Sequence, residues 1–265
     1  MSYTWLVAGI FTAFAVLEFT MGRFLQREHS SGKDAVLEIV AILLIPLVII
    51  PTTITVAGAL TENLVPGSAD AWSHWPAWLM FVVLLLGDDL TQYWWHRLSH
   101  SVPWLYGFHR AHHSGAYLSV RVVYRNSLLY YALMPGLWIS AVLMHLGFGG
   151  VYAVYIVAKM TVIISAHSSV RWDQPLLKQR YLRPIMWVVL RVISTPTTHA
   201  AHHGKHAADG VTHYKGNYGN FLFFWDVLFR TAKISDEVPD EYGLEACEPA
   251  SWFEELIWPG ARKDR

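Results

Sequence analysis

Cysteine and charge are both scarce in this chain. Cys247 is the one cysteine among 265 residues, which excludes a disulfide framework and a metal site built on several thiolates. Charged residues make up 15% of the sequence, well below the roughly one quarter that is usual in soluble domains. The formal net charge is zero, so the composition does not indicate a nucleic-acid partner.

Apolar and aromatic residues are correspondingly abundant. Hydrophobic residues make up 54% of the chain, and the mean hydropathy is +0.29. The sequence also contains thirteen tryptophans and thirteen tyrosines, residues that accumulate where a protein meets the lipid–water boundary. We therefore expect an all-α integral membrane protein.

Several long apolar runs are candidates for membrane helices. A helix needs about 20 residues to cross the hydrocarbon core, and Pro46 and Pro51 are kinks of the kind that membrane helices tolerate. We predict four to five transmembrane or re-entrant helices, because the short connections leave open how many hairpins cross completely. The runs cover residues 3–21, 36–60, 76–86, 128–147 and 149–166.

The basic residues predict how the chain is oriented. Lys and Arg follow the first, third and fifth runs and are absent from the connections at 61–75 and 145–150. Cytosolic loops are enriched in Lys and Arg, so we expect the amino terminus outside and the histidine-rich segments and carboxyl terminus in the cytosol. The membrane would be a bacterial inner membrane or the endoplasmic reticulum.

Three segments have a further predicted role in this arrangement. The first run lacks a basic leader and a small-residue cleavage site, so we interpret it as an anchor. Residues 181–191 are too short and too charged to span and are predicted to form an interfacial helix. Residues 221–229 are predicted to form a helix that packs beneath the histidines.

Histidine is the residue type that carries chemistry here, since eight of the fourteen histidines lie in three short clusters. The pattern H-R-x-x-H occupies residues 96–100, and H-x-x-H-H occurs at 109–113 and again at 199–203. Residues three and four apart share a face of a helix, so each cluster is expected to direct its imidazoles toward one point. Neutral imidazole is the commonest protein ligand for transition metals. The clusters therefore predict a metal site.

A lone histidine, His167, follows the fifth run and is expected at the same membrane depth as the three clusters. With the eight clustered histidines it gives nine candidate ligands. A structural zinc ion takes four ligands and closes its shell, so nine imidazoles fit two ions with four or five ligands each. Nitrogen ligands without thiolate are compatible with iron. The candidate ligands are His96, His100, His109, His112, His113, His167, His199, His202 and His203.

Three charged residues near the clusters have predicted roles. Asp89 precedes His96 by seven residues on the same predicted helix stripe, and it is either a ligand or, as we favour, an acceptor that orients a histidine. Asp88 is expected to face water. Lys159 lies inside the fifth run. It either pairs with Glu18 or snorkels toward the interface, or it faces the cavity and holds a polar group of the substrate or electron donor.

The other histidines are weaker candidates. His206 and His213 follow the last cluster, and either complete a coordination sphere or line its rim. His29, His74 and His145 lie in predicted loops and are not expected to bind metal.

The order of these motifs resembles the fatty acid hydroxylase/sterol desaturase superfamily. After the first two clusters and the lone histidine, T-P-x-x-H-x-x-H-H lies at residues 195–203, N-Y-G at 217–219 and W-D-x-L-F at 225–229. The resemblance covers roughly residues 85–232. Within the superfamily, H-R-A-H-H-S at 109–114 is most similar to the alkylglycerol monooxygenase branch. The extra residues between the last cluster and N-Y-G depart from the usual pattern.

This resemblance implies a membrane-bound, non-haem di-iron enzyme that uses oxygen and external electrons on a lipid. It implies that the nine histidines hold two iron ions, which zinc can replace in purified protein, and that Asp89 and Asn217 support catalysis. The implied partners are a lipid substrate, the bilayer, and an electron-donor protein or reduced cofactor of unknown identity.

The resemblance also suggests how the chain is divided and which reactions compete. Membrane helices would occupy residues 1–75, the catalytic region 76–232 and a tail 233–265. Hydroxylation and desaturation are both open. A dimetal hydrolase that activates water, needing neither oxygen nor reductant, is a further alternative. A metal transporter is disfavoured because its ligands would lie near the middle of the membrane.

Overall fold

Helices are the regular secondary structure of the part of the chain that the structure describes. A computed structural model describes residues 2–260; it is 64% helix, and this range contains no β-strand. The predicted all-α class is confirmed. Fourteen α-helices lie within residues 2–260: α1 (Ser2–Thr20), α2 (Gly32–Leu44), α3 (Ile50–Leu64), α4 (Ala77–Leu84), α5 (Leu90–Ser101), α6 (Pro103–His113), α7 (Leu128–Ala132), α8 (Pro135–Leu143), α9 (Gly149–His167), α10 (Asp173–Leu177), α11 (Arg183–Val192), α12 (Pro196–His203), α13 (Phe224–Leu228) and α14 (Trp252–Ile257).

Short turns of other helix types join or follow these elements. One π-helical turn each connects α2 to α3, α4 to α5 and α8 to α9, so that each pair forms one longer unit. These π turns are Ile45–Ile49, Leu85–Asp89 and Met144–Phe148, and 3₁₀ turns lie at Val120–Val122 and Ala207–Asp209.

Three apolar helical stretches are long enough to cross a membrane, namely Tyr3–Thr20, Gly32–Leu64 and Pro135–His167. They correspond to the first, second, and combined fourth and fifth runs of the sequence. The chain is accordingly an integral membrane protein, while the number of complete crossings stays a prediction.

The third stretch is a hairpin and not a straight rod. Gly147 lies within it at φ +111°, a conformation that glycine adopts readily and other residues rarely. Both arms return to Asp88: a Cβ on Gly136 would lie 2.8 Å from its Oδ1, and Lys159 Nζ lies 2.7 Å from its Oδ2. The helices α8 and α9 therefore run antiparallel on either side of the predicted turn.

The unit α4–α5 connects the apolar core to the histidines. Its apolar half packs on α9, where the ring centroids of Phe81 and Tyr155 lie 5.8 Å apart. Met80 and Leu84 are buried in the same cluster. The polar half, α5, carries the first histidine cluster.

Two predicted helices are shorter than the sequence indicated. The run at 128–147 is divided because Met134, just before Pro135, is extended, as proline requires of the residue preceding it. In the run 221–229 only Phe224–Leu228 is helical, because Leu222 instead forms an isolated antiparallel bridge with Ile193.

Helix α11 presents an apolar face to the outside of the molecule. Ile185 and Trp187 are each 59% exposed, whereas Met186 and Leu190 are buried. This is the helix that the sequence predicted to lie in the interface.

Candidate metal centre

The local sequence explains why two of the histidine motifs are helical. Pro103 starts α6 and Pro196 starts α12, and proline suits the first helical turn because its missing N–H would have no partner there. Thr195 caps α12, and its side chain accepts a hydrogen bond from the Thr198 amide. Each helix then ends on its H-x-x-H-H pattern.

The nine candidate histidines meet in two adjacent groups. Within each group the ring nitrogens that can bind an ion all lie within 4.8 Å of one another. The five-histidine group contains His96, His100, His109, His113 and His202, and the four-histidine group contains His112, His167, His199 and His203.

Each H-x-x-H-H motif is divided between the two groups, contrary to the expectation that it points to one centre. His112 and His113 lie in different groups, and so do His202 and His203. Successive residues of an α-helix point about 100° apart, so neighbouring rings reach different centres. Residues four apart stay together, as His109 and His113 do in the five-histidine group.

Main-chain carbonyls fix the orientation of four of these rings. A carbonyl oxygen only accepts hydrogen bonds, so in each case Nδ1 carries the proton and Nε2 presents its lone pair. The four Nδ1 donors and their acceptors are His96 to Tyr218 (2.7 Å), His202 to Gly216 (2.7 Å), His112 to Val122 (3.1 Å) and His167 to Ile163 (2.8 Å).

These orientations bring lone pairs face to face. The Nε2 atoms of His96 and His202 lie 3.0 Å apart, and those of His112 and His167 lie 3.2 Å apart. With both protons on Nδ1, no proton lies between the two nitrogens of either pair. Two nitrogens bound to one ion at about 2.1 Å lie roughly 3.0–3.4 Å from each other. The residues present therefore fit a metal ion in each group.

Burial keeps the rings neutral. It holds the pKa of His112, His199, His202 and His203 well below the usual value, and the neighbouring rings lower each pKa further. A neutral imidazole is the form that binds a metal.

The loop that provides two of the orienting carbonyls is held by Asp226. Its carboxylate accepts hydrogen bonds from the amides of Tyr218 (2.9 Å) and Gly219 (2.6 Å) and from the Thr231 hydroxyl (2.6 Å). Burial raises the pKa of Asp226, and these hydrogen bonds oppose that shift. This role was not predicted from the sequence, although the aspartate of the W-D-x-L-F motif at 225–229 pointed to it.

Asn217 and Asp89 lie outside both groups. Asn217 has φ +55° and donates from Nδ2 to the carbonyls of Thr198 and Lys233, 2.9 Å each. Asp89 accepts from Trp225 Nε1 (2.8 Å) and the Leu222 amide (3.2 Å). Both therefore support the chain around the histidines, and their catalytic assignment stays a prediction.

Lys159 has a partner that the sequence did not suggest. Its Nζ lies 2.7 Å from Asp88 Oδ2, so Asp88 is buried and does not face water. The proposed pairing with Glu18 is wrong. Glu18 instead accepts hydrogen bonds from the hydroxyls of Ser119 (2.6 Å) and Ser168 (2.8 Å).

The remaining histidines are not part of either group. His206 is half-buried beside Glu241, and His213 Nε2 lies 3.2 Å from the Thr231 carbonyl. His145 lies at the opposite end of the membrane helices, 3.1 Å from Glu62.

A cavity of about 710 Å³ lies beside the two groups. His109, His112 and His167 form part of its lining. More than half of the lining residues are apolar or aromatic, and the helices α1, α3, α8 and α9 contribute several of them, such as Ile54 and Ile156. The histidines therefore border a space suited to an apolar chain.

The fatty acid hydroxylase family model matches residues 81–231, a range that contains all nine histidines. The chain belongs to the fatty acid hydroxylase family. The predicted superfamily is thereby confirmed, as is its alkylglycerol monooxygenase-like branch.

Three of the curated relatives of this fatty acid hydroxylase family member are alkylglycerol monooxygenases. The protein of Danio rerio is 31% identical over 188 residues, 70% of this chain and 36% of that protein. The protein of Xenopus tropicalis is 28% identical over 69% of this chain and 35% of its own length. The protein of Homo sapiens is 26% identical over 64% of this chain and 34% of its own length. The match thus spans about a third of the length of these relatives. No solved structure matches the chain.

Proposed function

We propose that this protein is a membrane-bound, oxygen-dependent lipid monooxygenase that holds two iron ions, one in each histidine group. The observation that carries the proposal is that two sets of converging imidazole lone pairs border a largely apolar cavity. The relatives' name, alkylglycerol monooxygenase, supports an oxygenase acting on a lipid.

The five-histidine group would hold one ion and the four-histidine group the other. Imidazole suits iron and zinc alike, and oxygen chemistry requires a redox-active metal, so iron is the proposed cofactor. Bound iron would supply the electron transfer to dioxygen that the reaction needs.

The reaction has a fixed balance. One oxygen atom enters a C–H bond of the lipid to give an alcohol, and the other leaves as water. Two electrons and two protons complete the equation, and an external donor supplies the electrons. Desaturation by the same site would also consume oxygen and electrons, but would leave no oxygen atom in the product.

The chain's own residues orient the ligands and exclude water. The carbonyls of Tyr218 and Gly216 hold the rings of His96 and His202 so that both Nε2 atoms face inward. Apolar residues of the cavity, such as Leu137 and Met160, give a dry lining for the aliphatic chain of the substrate.

We also propose that the histidines lie on the cytosolic side of the membrane. The support for this is the uneven distribution of Lys and Arg along the sequence. The tail is on the histidine side, because the Gly243 amide donates to the His203 carbonyl.

The test is anaerobic reconstitution of the full chain with Fe(II), followed by labelled dioxygen, a chemical reductant and lipid mass spectrometry. Label in the lipid product is the expected result. An unsaturated product without label would assign desaturation, and turnover without oxygen would assign the hydrolase. A protein that holds two irons per chain and consumes no oxygen with any lipid class would contradict the proposal.

A further inference from the structure

We propose that the cavity contains a polar subsite that binds a neutral hydrogen-bonding group, such as a hydroxyl, ether or ester, of a single-chain amphiphile. Its residues are Gln92, Tyr130 and Ser140, which line the same cavity as the ion pair of Lys159 with Asp88. The inference rests on the proposed function, because the same cavity borders the histidines.

Three buried polar atoms of the lining have no hydrogen-bond partner among residues 2–260. They are Gln92 Oε1, Tyr130 OH and Ser140 Oγ. The residues are 9%, 2% and 1% exposed, respectively, and all three line the cavity. A buried polar group without a partner destabilises a fold. Three of them in the lining of one largely apolar cavity indicate a ligand that completes their hydrogen bonds.

The nearby ion pair selects against a charged ligand. Lys159 Nζ and Tyr155 OH both donate to Asp88 Oδ2, at 2.7 and 2.8 Å. The ammonium is therefore already neutralised, and the carboxylate lies next to it. A ligand carboxylate would lose its hydration and meet Asp88 without gaining a cation of its own. A neutral donor or acceptor loses much less hydration free energy than a carboxylate when it leaves water.

The subsite is continuous with the histidines. Gln92 precedes His96 by one helical turn, and Asp88 precedes His96 by two turns. These spacings correspond to rises of about 6 and 12 Å along the helix. The Tyr130 ring stacks on His109 with 4.7 Å between centroids. Ser140 lies one turn beyond Gly136, the residue that contacts Asp88. A ligand held here lies in the same cavity as the proposed reaction.

The test measures binding to the metal-free protein, so that it does not depend on turnover. The full chain in nanodiscs is titrated with tritiated 1-hexadecanol, and protein-free discs are subtracted. Hexadecane and hexadecanoate, which share the chain length, are the competitors. We expect 1-hexadecanol to bind at least tenfold more tightly than either.

The variants separate binding from folding. Gln92→Leu and Tyr130→Phe are expected to weaken 1-hexadecanol binding about tenfold, while hexadecane binding stays within twofold. Tyr130→Phe and Ser140→Ala are expected to raise the melting temperature of the ligand-free protein, because each removes a buried hydroxyl without a partner. Thr161→Val removes a hydroxyl from the exposed side of α9 and is the matched control.

Three outcomes would overturn the subsite. These are equal binding of the three probes, unchanged 1-hexadecanol binding in Gln92→Leu and Tyr130→Phe, or lower melting temperatures in both hydroxyl variants. Failure of the proposed function would look different, since labelled oxygen would be missing from the product while the binding selectivity persisted.

Discussion

His96 and His202, 106 positions apart in the sequence, bring their Nε2 atoms to within 3.0 Å of each other. The Nδ1 atom of each ring donates to a main-chain carbonyl of the same short loop, His96 to Tyr218 and His202 to Gly216. One loop thus orients a ring from the first histidine motif and a ring from the last. The geometry of the five-histidine group depends on that loop as much as on the histidines.

Removing one histidine should remove the metal ion of its own group and leave the ion of the other group in place. We expect His202→Ala and His167→Ala each to retain about half of the iron of the wild-type protein, because each variant breaks one group and leaves the other. Elemental analysis of protein reconstituted with Fe(II) measures this. His29→Ala, in an exposed loop outside both groups, is the control and should keep the full content. Equal iron in all three variants would refute the assignment of ligands.

Asp226 should influence metal affinity without contacting metal. Asp226→Ala leaves the amides of Tyr218 and Gly219 without their acceptor. Each buried donor without a partner destabilises the fold by about 1–3 kcal/mol. We expect iron affinity to fall roughly 10–100-fold, as it does when a group that orients a ligand is removed. Competition with a chelator gives the affinity. Asp236→Ala, at an exposed position, should leave it unchanged.

The ion pair of Lys159 and Asp88 should stabilise the protein mainly by avoiding a single buried charge. Lys159→Met leaves the Asp88 carboxylate buried without a cation, and we expect a loss of about 3–5 kcal/mol in the free energy of unfolding. The double variant with Asp88→Asn should recover most of it. Equilibrium unfolding in detergent micelles measures both.

A second ion pair provides the comparison. Lys205 and Glu241 have the same 2.7 Å separation, but both side chains are solvent-accessible. Lys205→Met should therefore lower the free energy of unfolding by no more than about 1 kcal/mol. If the two lysine variants were equally destabilised, burial would not be the cause.

The single cysteine reports the orientation of the chain. Cys247 is exposed on the side of the histidines, so a membrane-impermeant maleimide should label it in intact bacterial cells only after permeabilisation. Ala71→Cys in a Cys247→Ser background puts the thiol on the opposite connection and should label without permeabilisation. The reverse pattern would place the histidines outside.

The sequence predicted the helical fold and the membrane helices because lipid-facing segments carry a local signal in their composition. It also located the turn of the α8–α9 hairpin, through the short uncharged connection at 145–150. It overestimated the helices near Pro135 and Leu222, where a proline and a contact with a distant segment end them.

Eight of the nine candidate histidines were identifiable from their spacing, since helical periodicity is a local property of the chain, and His167 was identifiable from its position at the end of the fifth apolar run. Which ring joins which group was decided only by the tertiary structure. It depends on how α5, α6, α9 and α12 pack, and on main-chain carbonyls that are present at every residue and so leave no mark in the sequence. The partner of Lys159 was unpredictable for the same reason, because Asp88 lies on another helix 71 positions away.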